Sequence, residues 1–294
     1  MKKKKEKYGH FFLSKKGKMN IDIQKKKEKL ILILEKYNSL IVAFSGGVDS
    51  TFLLCMANKV IQGNVIAVTA HSSIHPEREI EFTKKLTKSL GIKHLMIRSK
   101  EMSLPDFVAN TKEKCYLCKK LLAQDLLKLG SEMEVSHIAH GANLDDLDDY
   151  RPGFKAAEEM GMLAPLLDAK LTKKDIRMLS KEMGLDTWDK PSMACLASRV
   201  PYGVPINDEA LHKIDQAEEF ILSLGFASCR VRYHNEVARI EVSQEDFKKI
   251  FDDKIRTAII SKLKEIGFLY ISIDLEGYIQ GSMNRSFSLR NSIN

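Results

Sequence analysis

Short apolar runs alternate with longer amphipathic segments through the first half of the chain. The apolar runs predict buried strands at residues 40–44, 64–72, 93–99 and, passing into a loop, 135–146. The amphipathic segments predict helices at residues 21–36, 49–61, 77–91 and 119–133. Strands that alternate with helices in this order are typical of α/β proteins, so we expect a doubly wound parallel sheet.

The pattern changes near residues 190–205, where three prolines and a glycine predict a loop or linker. The elements predicted beyond it form a small α+β unit: a helix at 207–225, a hairpin at 229–242, a helix at 244–267 and a strand at 268–275. We therefore predict three parts: a basic disordered tail at residues 1–20, the α/β domain at 21–190 and a C-terminal α+β domain at 191–294.

Positive charge is concentrated at the start of the chain. The 294 residues carry a net charge of +8, and residues 1–30 contain twelve lysines against three acidic residues. The rest is close to neutral, which argues against nucleic acid as a partner of the folded part. No apolar run is long enough to span a membrane, and the basic start lacks the apolar segment of a secretory signal. We therefore expect a cytoplasmic protein with no membrane partner.

The five cysteines are an odd number, which argues against a disulfide framework in a cytoplasmic chain. Cys115 and Cys118 form a C-x-x-C pair, a spacing typical of metal or redox chemistry. Cys195 lies in an apolar, proline-punctuated segment between Lys190 and Arg199, cations that favour its thiolate. The alternative for each of these cysteines is ordinary packing.

The string Ser45-Gly46-Gly47-Val48-Asp49-Ser50 joins the first predicted strand directly to a predicted helix. Free backbone N–H groups at a helix N-terminus bind anions, and the glycines allow close approach. The Ser45 and Ser50 hydroxyls donate further hydrogen bonds, while Asp49 is placed to hold a Mg²⁺ ion that offsets phosphate charge. We therefore predict phosphate binding here. A capped strand-to-helix turn without a ligand is the alternative.

This string lacks the lysine of the GxxxxGK[ST] motif and resembles the PP-loop of ATP pyrophosphatases. The resemblance implies an adenine nucleotide alpha-hydrolase-like fold and an activity that adenylates a substrate, releases pyrophosphate and then displaces AMP. Thr69 and His71, at the end of the second strand, are then expected to face adenine. Asn143, in the loop after the fourth strand, is expected near the nucleotide, with a capping role as the alternative.

Four further motifs resemble the LarE family of ATP-dependent sulfur transferases: "PSMACLASRVPYG" (191–203), "GANLDDLDDYRPGFKAAEE" (141–159), "VRYHNEVARIEV" (231–242) and "LYISIDLEGYIQGSMN" (269–284). The resemblance implies a small nucleotide substrate, pyridinium-3,5-biscarboxylic acid mononucleotide, whose carboxylates become thiocarboxylates in the maturation of lactate racemase. It also implies a C-terminal domain for sulfur transfer and oligomerisation, in a ring-like homo-oligomer such as a hexamer. In sacrificial members the cysteine matching Cys195 gives up its own sulfur and remains as dehydroalanine.

Similarity to cluster-bearing members of this family offers a second sulfur source. With Cys195 added to Cys115 and Cys118, three thiolates can hold three irons of a [4Fe–4S] cluster and leave the fourth iron open to deliver sulfide. The C-x-x-C pair alone is weak evidence for zinc, because a closed zinc site needs four ligands. We favour the cluster over the sacrificial cysteine, with a redox pair as a further alternative.

Three arginines near or beyond Cys195 are predicted to bind the phosphate and carboxylates of this substrate: Arg199, Arg230 and Arg232. A solvated strand face is the alternative for Arg230 and Arg232. Two other functions stay open: a PP-loop enzyme that thiolates tRNA, which would need a basic face on the folded part, and a nucleotide sensor without turnover.

Overall fold

The computed structural model describes residues 21–147, 152–279 and 281–284, and the basic tail predicted at residues 1–20 lies outside them. Within these ranges no helix combines the length and the apolar character that crossing a membrane requires.

The larger sheet has four parallel strands in the order β3–β2–β1–β4. Its strands are β1 (Leu40–Ala43), β2 (Val65–His71), β3 (Lys93–Arg98) and β4 (Ile138–Ala139). Parallel neighbours require crossover connections, and the helices between the strands supply them. The prediction of a parallel sheet with intervening helices is confirmed.

Helices cover both faces of this sheet. They are α1 (Ile21–Leu34), α2 (Val48–Val60), α3 (Glu77–Leu90), α4 (Pro105–Val108), α5 (Lys114–Glu132), α6 (Pro152–Glu159), α7 (Pro165–Asp168) and α8 (Lys173–Glu182). Buried side chains of α1, α2 and α8 share one apolar cluster with β1. Those of α5 and α6 form a second cluster against Ile41, Ile66 and Val68. Because successive residues of a strand point to opposite faces, the strands are buried on both sides and the fold is doubly wound.

The second sheet is smaller and mixed. It comprises β5 (Cys229–His234), β6 (Val237–Val242) and β7 (Tyr270–Ile273), packed by α9 (Asp208–Ser223) and α10 (Asp253–Ile266). Strands β5 and β6 form an antiparallel hairpin whose turn contains Asn235 at φ 55°, and β7 adds in parallel to β6. The single helix predicted at 244–267 is wrong, because a short 3₁₀ turn ends at Phe251 and the Asp252 side chain caps α10 by accepting two backbone N–H groups.

The segment predicted as a linker at 190–205 packs against elements that precede it and elements that follow it in the chain. Leu196 and Val200 are buried in an apolar cluster with Ile74 and Phe107, and residues of α9 complete it. The Leu196 N–H also donates to the Ile74 carbonyl at 2.8 Å. The loop is therefore anchored, while the division into domains at residue 190 stays a prediction.

Candidate active site

The PP-loop lies where the sequence predicts it, between the end of β1 and the start of α2. Gly46 has φ 69°, and a Cβ on it would stand 2.9 Å from a methyl group of Thr83 in α3, so only glycine fits without movement. The Ser45 and Ser50 hydroxyls lie 3.1 Å apart, and the Ser50 hydroxyl donates to the Gly47 carbonyl at 3.2 Å. This arrangement leaves the loop backbone at the N-terminus of a 13-residue helix, a position typical of anion binding.

Asp49 in the first turn of α2 pairs with Lys173 at the start of α8. Burial raises the pKa of the Asp49 carboxyl, and the charge of Lys173 opposes that rise. The Oδ1 atom of Asp49 is buried and has no hydrogen-bond partner among the described residues. A buried carboxylate oxygen without a donor fits a Mg²⁺ ligand, as the sequence predicts.

Two lysines lie beside the PP-loop that the sequence does not predict there: Lys173, and Lys190, which the sequence places near Cys195 instead. Lys173 contacts Asp49, and Lys190 donates to the Gly46 carbonyl at 3.2 Å and to Glu79 at 2.7 Å. Both are cations at the edge of an anion site, where they can offset phosphate charge. Their separation from the motif by more than a hundred positions explains why a local pattern does not reveal them.

The other residues predicted to bind the nucleotide are placed differently. The Thr69 hydroxyl is buried, donates to the Phe44 carbonyl at 2.8 Å and pairs with His94, so it fastens β2 to its neighbours. As a side-chain contact to adenine, Thr69 is a wrong prediction in this arrangement. His71 lines a cavity of about 1050 Å³ at the ends of β2 and β3, and its contact with adenine stays a prediction. Asn143 is buried and its side chain accepts the Asp145 N–H at 3.0 Å, which matches the capping alternative.

Cys115, Cys118 and Cys195 converge on one site. Cys115 and Cys118 are three positions apart at the start of α5, so they lie on the same face of that helix. The side chains of Cys118 and Cys195 pack against the same apolar cluster. Burial, with a smaller contribution from the nearby Cys195, raises the pKa of the Cys118 thiol to about 12. Burial and the proximity of Cys195 also raise the pKa of the Cys115 thiol. The three sulfurs are therefore close enough to influence one another.

Two lysines accompany these thiols. Lys114 is 3% exposed, and burial lowers the pKa of its ammonium against the opposing effect of Cys195 and Cys115. Burial also lowers the pKa of the Lys119 ammonium, which Cys118 and Cys115 partly offset. The charges of Lys114 and Lys119 oppose the rise that burial causes in the pKa of the Cys115 thiol, and that of Lys119 does so for Cys118. The thiolate is the form that binds metals and attacks electrophiles.

The prediction that Arg199 binds substrate is corrected by its surroundings. Its side chain is fully buried and pairs with Glu218 through two hydrogen bonds of 2.8 and 3.0 Å. The remaining nitrogen donates to the carbonyls of Ala194 and Cys195 at 2.6 and 2.8 Å. Every nitrogen of this guanidinium is therefore used inside the protein, where it holds the Cys195 loop.

Arg230 and Arg232 are also buried, so the alternative of a solvated strand face is wrong for both. Arg230 donates to the Ser192 carbonyl at 2.7 Å and to the Cys229 carbonyl at 2.7 Å. Arg232 pairs with Glu241 at 2.7 Å and donates to the Ser198 carbonyl at 3.1 Å. In this arrangement both residues bind the loop on either side of Cys195, and contact with substrate stays a prediction.

The two remaining cysteines, Cys55 and Cys229, are buried in apolar clusters. Burial raises the pKa of the Cys55 thiol to about 11 and also raises that of Cys229, whose sulfur contacts the Glu218 carbonyl at 3.5 Å. Each of these thiols packs inside an apolar cluster, which is the ordinary place of a free cysteine.

Fold and PP-loop together define a class, the ATP-dependent PP-loop enzymes. A model of the NAD synthase family matches residues 25–137, which contain this loop. A protein of unknown function from Synechocystis sp. (strain ATCC 27184 / PCC 6803 / Kazusa) is 37% identical, over 90% of this chain and 98% of its own. The pyridinium-3,5-bisthiocarboxylic acid mononucleotide synthase of Lactiplantibacillus plantarum is 34% identical, over 88% of this chain and 94% of its own. The chain belongs to the LarE family, of which that synthase is a member.

A more distant similarity concerns tRNA modification. The tRNA-specific 2-thiouridylase MnmA of Rickettsia felis is 27% identical over 55% of this chain and 54% of its own.

Proposed function

We propose that this protein inserts sulfur into pyridinium-3,5-biscarboxylic acid mononucleotide, adenylating a carboxylate with ATP and converting it to a thiocarboxylate. The observation that carries the proposal is the packing of Cys118 and Cys195 against one apolar cluster, with Cys115 one turn away on α5, in a chain that also holds a PP-loop. The relative from Lactiplantibacillus plantarum supports this choice of substrate, because the similarity spans both the PP-loop and the Cys195 loop.

The adenylation half uses the PP-loop. Backbone N–H groups at the start of α2, with Ser45, Gly46, Gly47 and Ser50, bind the phosphates of ATP. Asp49 would hold Mg²⁺ through Oδ1, which has no hydrogen-bond partner among the described residues, and Lys173 and Lys190 offset the charge of the leaving pyrophosphate. A substrate carboxylate oxygen attacks the α-phosphorus, the bond from that phosphorus to the bridging oxygen breaks, and pyrophosphate departs.

The sulfur half has two candidate sources, and the first is Cys195 itself. Its thiolate attacks the acyl carbon, the carbon–oxygen bond breaks, AMP leaves, and a thioester forms. Loss of the Cα proton then breaks the Cβ–S bond, which releases the thiocarboxylate and leaves dehydroalanine. Each chain supplies one sulfur by this route.

The second source, which we favour, is a [4Fe–4S] cluster. Within residues 21–147, 152–279 and 281–284, no three His, Cys, Asp or Glu side chains are arranged to hold a single metal ion. A cluster requires something different, since each thiolate binds a separate iron and the sulfurs stand farther apart than the ligands of one ion. The donor types and the flanking Lys114 and Lys119 fit such a group on Cys115, Cys118 and Cys195. When bound, it would supply sulfide to the acyl adenylate from its open iron.

One experiment separates these routes. The protein is purified anaerobically after growth with iron, beside the Cys115→Ala variant, and iron, acid-labile sulfide and thiolated product per chain are measured. A cluster predicts iron and sulfide that the variant loses and, when inorganic sulfide is supplied to reload the open iron, more than one product per chain. The sacrificial route predicts no iron and no acid-labile sulfide. It predicts one product per chain, and dehydroalanine at position 195 that peptide mass spectrometry detects. Thiolated product from a Cys195→Ala variant would refute both routes.

The same assay tests the alternatives. A nucleotide sensor would form neither AMP nor thiolated product. A tRNA-thiolating enzyme, which the similarity to the 2-thiouridylase keeps open, would label tRNA in preference to the small nucleotide. The near-neutral charge of the chain beyond residue 30 favours the small nucleotide.

Assembly into a ring-like homo-oligomer, such as a hexamer in the cytoplasm, is part of the proposal. Strand β7 lies at the edge of the smaller sheet, and Leu269, Tyr270 and Leu275 beside it are 58%, 63% and 80% exposed. An apolar sheet edge of this kind is a surface that soluble proteins usually cover. Light scattering on wild type and Tyr270→Lys tests it, and a monomeric wild type would refute it.

A further inference from the structure

A buried polar clamp joins the start of α5 to the loop that carries Cys195. Asn110 lies just before α5, is fully buried and has a left-handed backbone with φ 55°. Its side-chain amide donates to the carbonyl oxygens of Pro201 and Val204 at 2.8 and 2.9 Å, and to that of Val200 at 3.3 Å. One side chain thus holds three carbonyls of a segment that has little regular structure.

Lys114 is the second part of the clamp. Its ammonium donates to Oδ1 of Asn110 at 2.5 Å and to the Ala197 carbonyl at 3.2 Å, and it lies 4.4 Å from the centre of the Tyr202 ring. Lys114 directly precedes Cys115 in the chain, and Ala197 lies two positions after Cys195. The hydrogen bond between them therefore connects the two thiol-bearing segments almost at the thiols themselves.

We infer that Asn110 and Lys114 are positioning residues that hold the Cys195 loop against α5 and so fix the spacing of the three thiols. The inference rests on the proposed function, in which these thiols act together. An anchored pair of reacting groups gains rate from its fixed geometry, and a displacement of about 1 Å can cost on the order of 100-fold. If the loop moved, the buried groups of Asn110, Lys114 and the loop carbonyls would lose their hydrogen-bond partners. That loss costs free energy, so other positions of the loop are disfavoured.

The test measures how close two thiols are held, without ATP or substrate. In the full chain carrying Cys115→Ser, the Cys118–Cys195 disulfide is equilibrated against reduced and oxidised glutathione and quantified by peptide mass spectrometry, which gives an effective concentration. The clamp variants are Asn110→Gly, which keeps the left-handed backbone without strain, and Lys114→Met, which keeps an unbranched buried chain. We expect each to lower the effective concentration at least tenfold.

The matched control is Asp252→Ala, which removes the cap of α10 and destabilises the fold away from the thiols. It should lower the melting temperature and leave the effective concentration within about twofold. The inference is overturned if both clamp variants also stay within twofold, or if the parent pair forms no disulfide, because the thiols are then not held together. Absence of sulfur transfer with the clamp effect intact would instead reject the proposed function alone.

A second readout applies if one clamp variant does not fold. Asn110→Asp keeps the acceptor for Lys114 and loses the amide donors to the loop, so it should fall between wild type and Asn110→Gly. In assays with substrate, the clamp variants should retain pyrophosphate release, which precedes the sulfur step, and lose sulfur transfer. An equal loss of both activities would mean that the two residues serve stability only.

Discussion

Arg230 in β5 donates a hydrogen bond to the carbonyl oxygen of Ser192, 2.7 Å away, and so reaches the loop three residues before Cys195. Arg232 reaches the same loop on the other side through the Ser198 carbonyl at 3.1 Å. Because strand side chains two positions apart share a face, Arg230 and Arg232 hold both ends of the cysteine segment from one face of the hairpin.

This relationship predicts a specific result for Arg230→Lys. A lysine keeps the positive charge but cannot donate in two fixed directions, so the Cys195 loop should lose its anchor. We expect the turnover number for sulfur transfer to fall at least tenfold, with KM for the small nucleotide changed less than threefold. Steady-state kinetics of thiolated product measure both.

If Arg230 binds substrate instead, Arg230→Ala should raise KM and Arg230→Lys should partly restore it. Arg256→Lys is the matched control, since that residue forms an exposed pair with Asp253 on α10. It should leave both parameters unchanged.

Lys173→Met should impair adenylation. The side chain faces Asp49 at the phosphate site, and its loss removes a cation that would meet the departing pyrophosphate. We expect the rate of pyrophosphate release to fall on the order of 100-fold. A coupled pyrophosphate assay with saturating substrate measures it.

The neighbouring Lys174 provides the control, because it is exposed on the next position of the same helix. Lys174→Met should keep wild-type pyrophosphate release. If both variants behave alike, Lys173 has no special place in adenylation and its pair with Asp49 is structural.

Glu218→Gln should destabilise the whole protein. This fully buried carboxylate accepts hydrogen bonds from Arg199, from Arg78 of α3 at 3.2 Å and from the Val231 N–H at 3.0 Å. The guanidinium of Arg199 lowers the pKa of Glu218 against the effect of burial, so the group is charged. Removing that charge leaves the buried Arg199 without its carboxylate partner, while Arg78 keeps its pair with Asp215 at 3.0 Å, and should cost about 3–5 kcal/mol in urea denaturation.

Glu219→Gln, the exposed neighbour, should change the free energy of unfolding by less than about 0.5 kcal/mol. A loss below about 1 kcal/mol in Glu218→Gln would show that the network contributes little to stability. Because Arg78 and Glu218 come from opposite sides of residue 190, such a result would also favour two independent domains.

The hydrophobic pattern predicted the strands and helices whose residues repeat with one regular spacing. The alternation of apolar runs and amphipathic segments predicted the parallel sheet, and the Ser-Gly-Gly string predicted the turn between β1 and α2, because both depend on neighbours within a few positions. A joint site of Cys115, Cys118 and Cys195 stays a prediction that rests on the family resemblance.

Long-range pairing explains what the sequence pattern missed. Lys173 meets Asp49 across 124 positions, and no local signal indicates that contact. Arg199 was predicted to be open to substrate because nothing nearby in sequence shows that Glu218 neutralises it in the interior. The break before α10 was missed since Asp252 acts as a cap only once the preceding turn is formed.

Stability should fall in mild acid because several histidines are buried in neutral form. Burial lowers the pKa of His140 from its ordinary 6.5 to about 3, with Lys119 adding to the effect, and the ring lies 6.0 Å from that of Phe154. Burial likewise lowers the pKa values of His75, His94 and His234. Between about pH 6.5 and 3 the unfolded chain binds a proton at position 140 that the folded chain does not, so stability rises with pH there.

His140→Phe should therefore flatten the acid dependence. Each such histidine contributes up to about 1.4 kcal/mol per pH unit below its unfolded pKa, and the contribution is complete above about pH 7. Urea denaturation at about pH 7.5, 6.5 and 5.5 should show a smaller loss for His140→Phe than for wild type. The exposed His212→Gln serves as the control and should keep the wild-type slope. A slope unchanged in His140→Phe would mean that the imidazole takes up a proton in the folded protein as readily as in the unfolded chain.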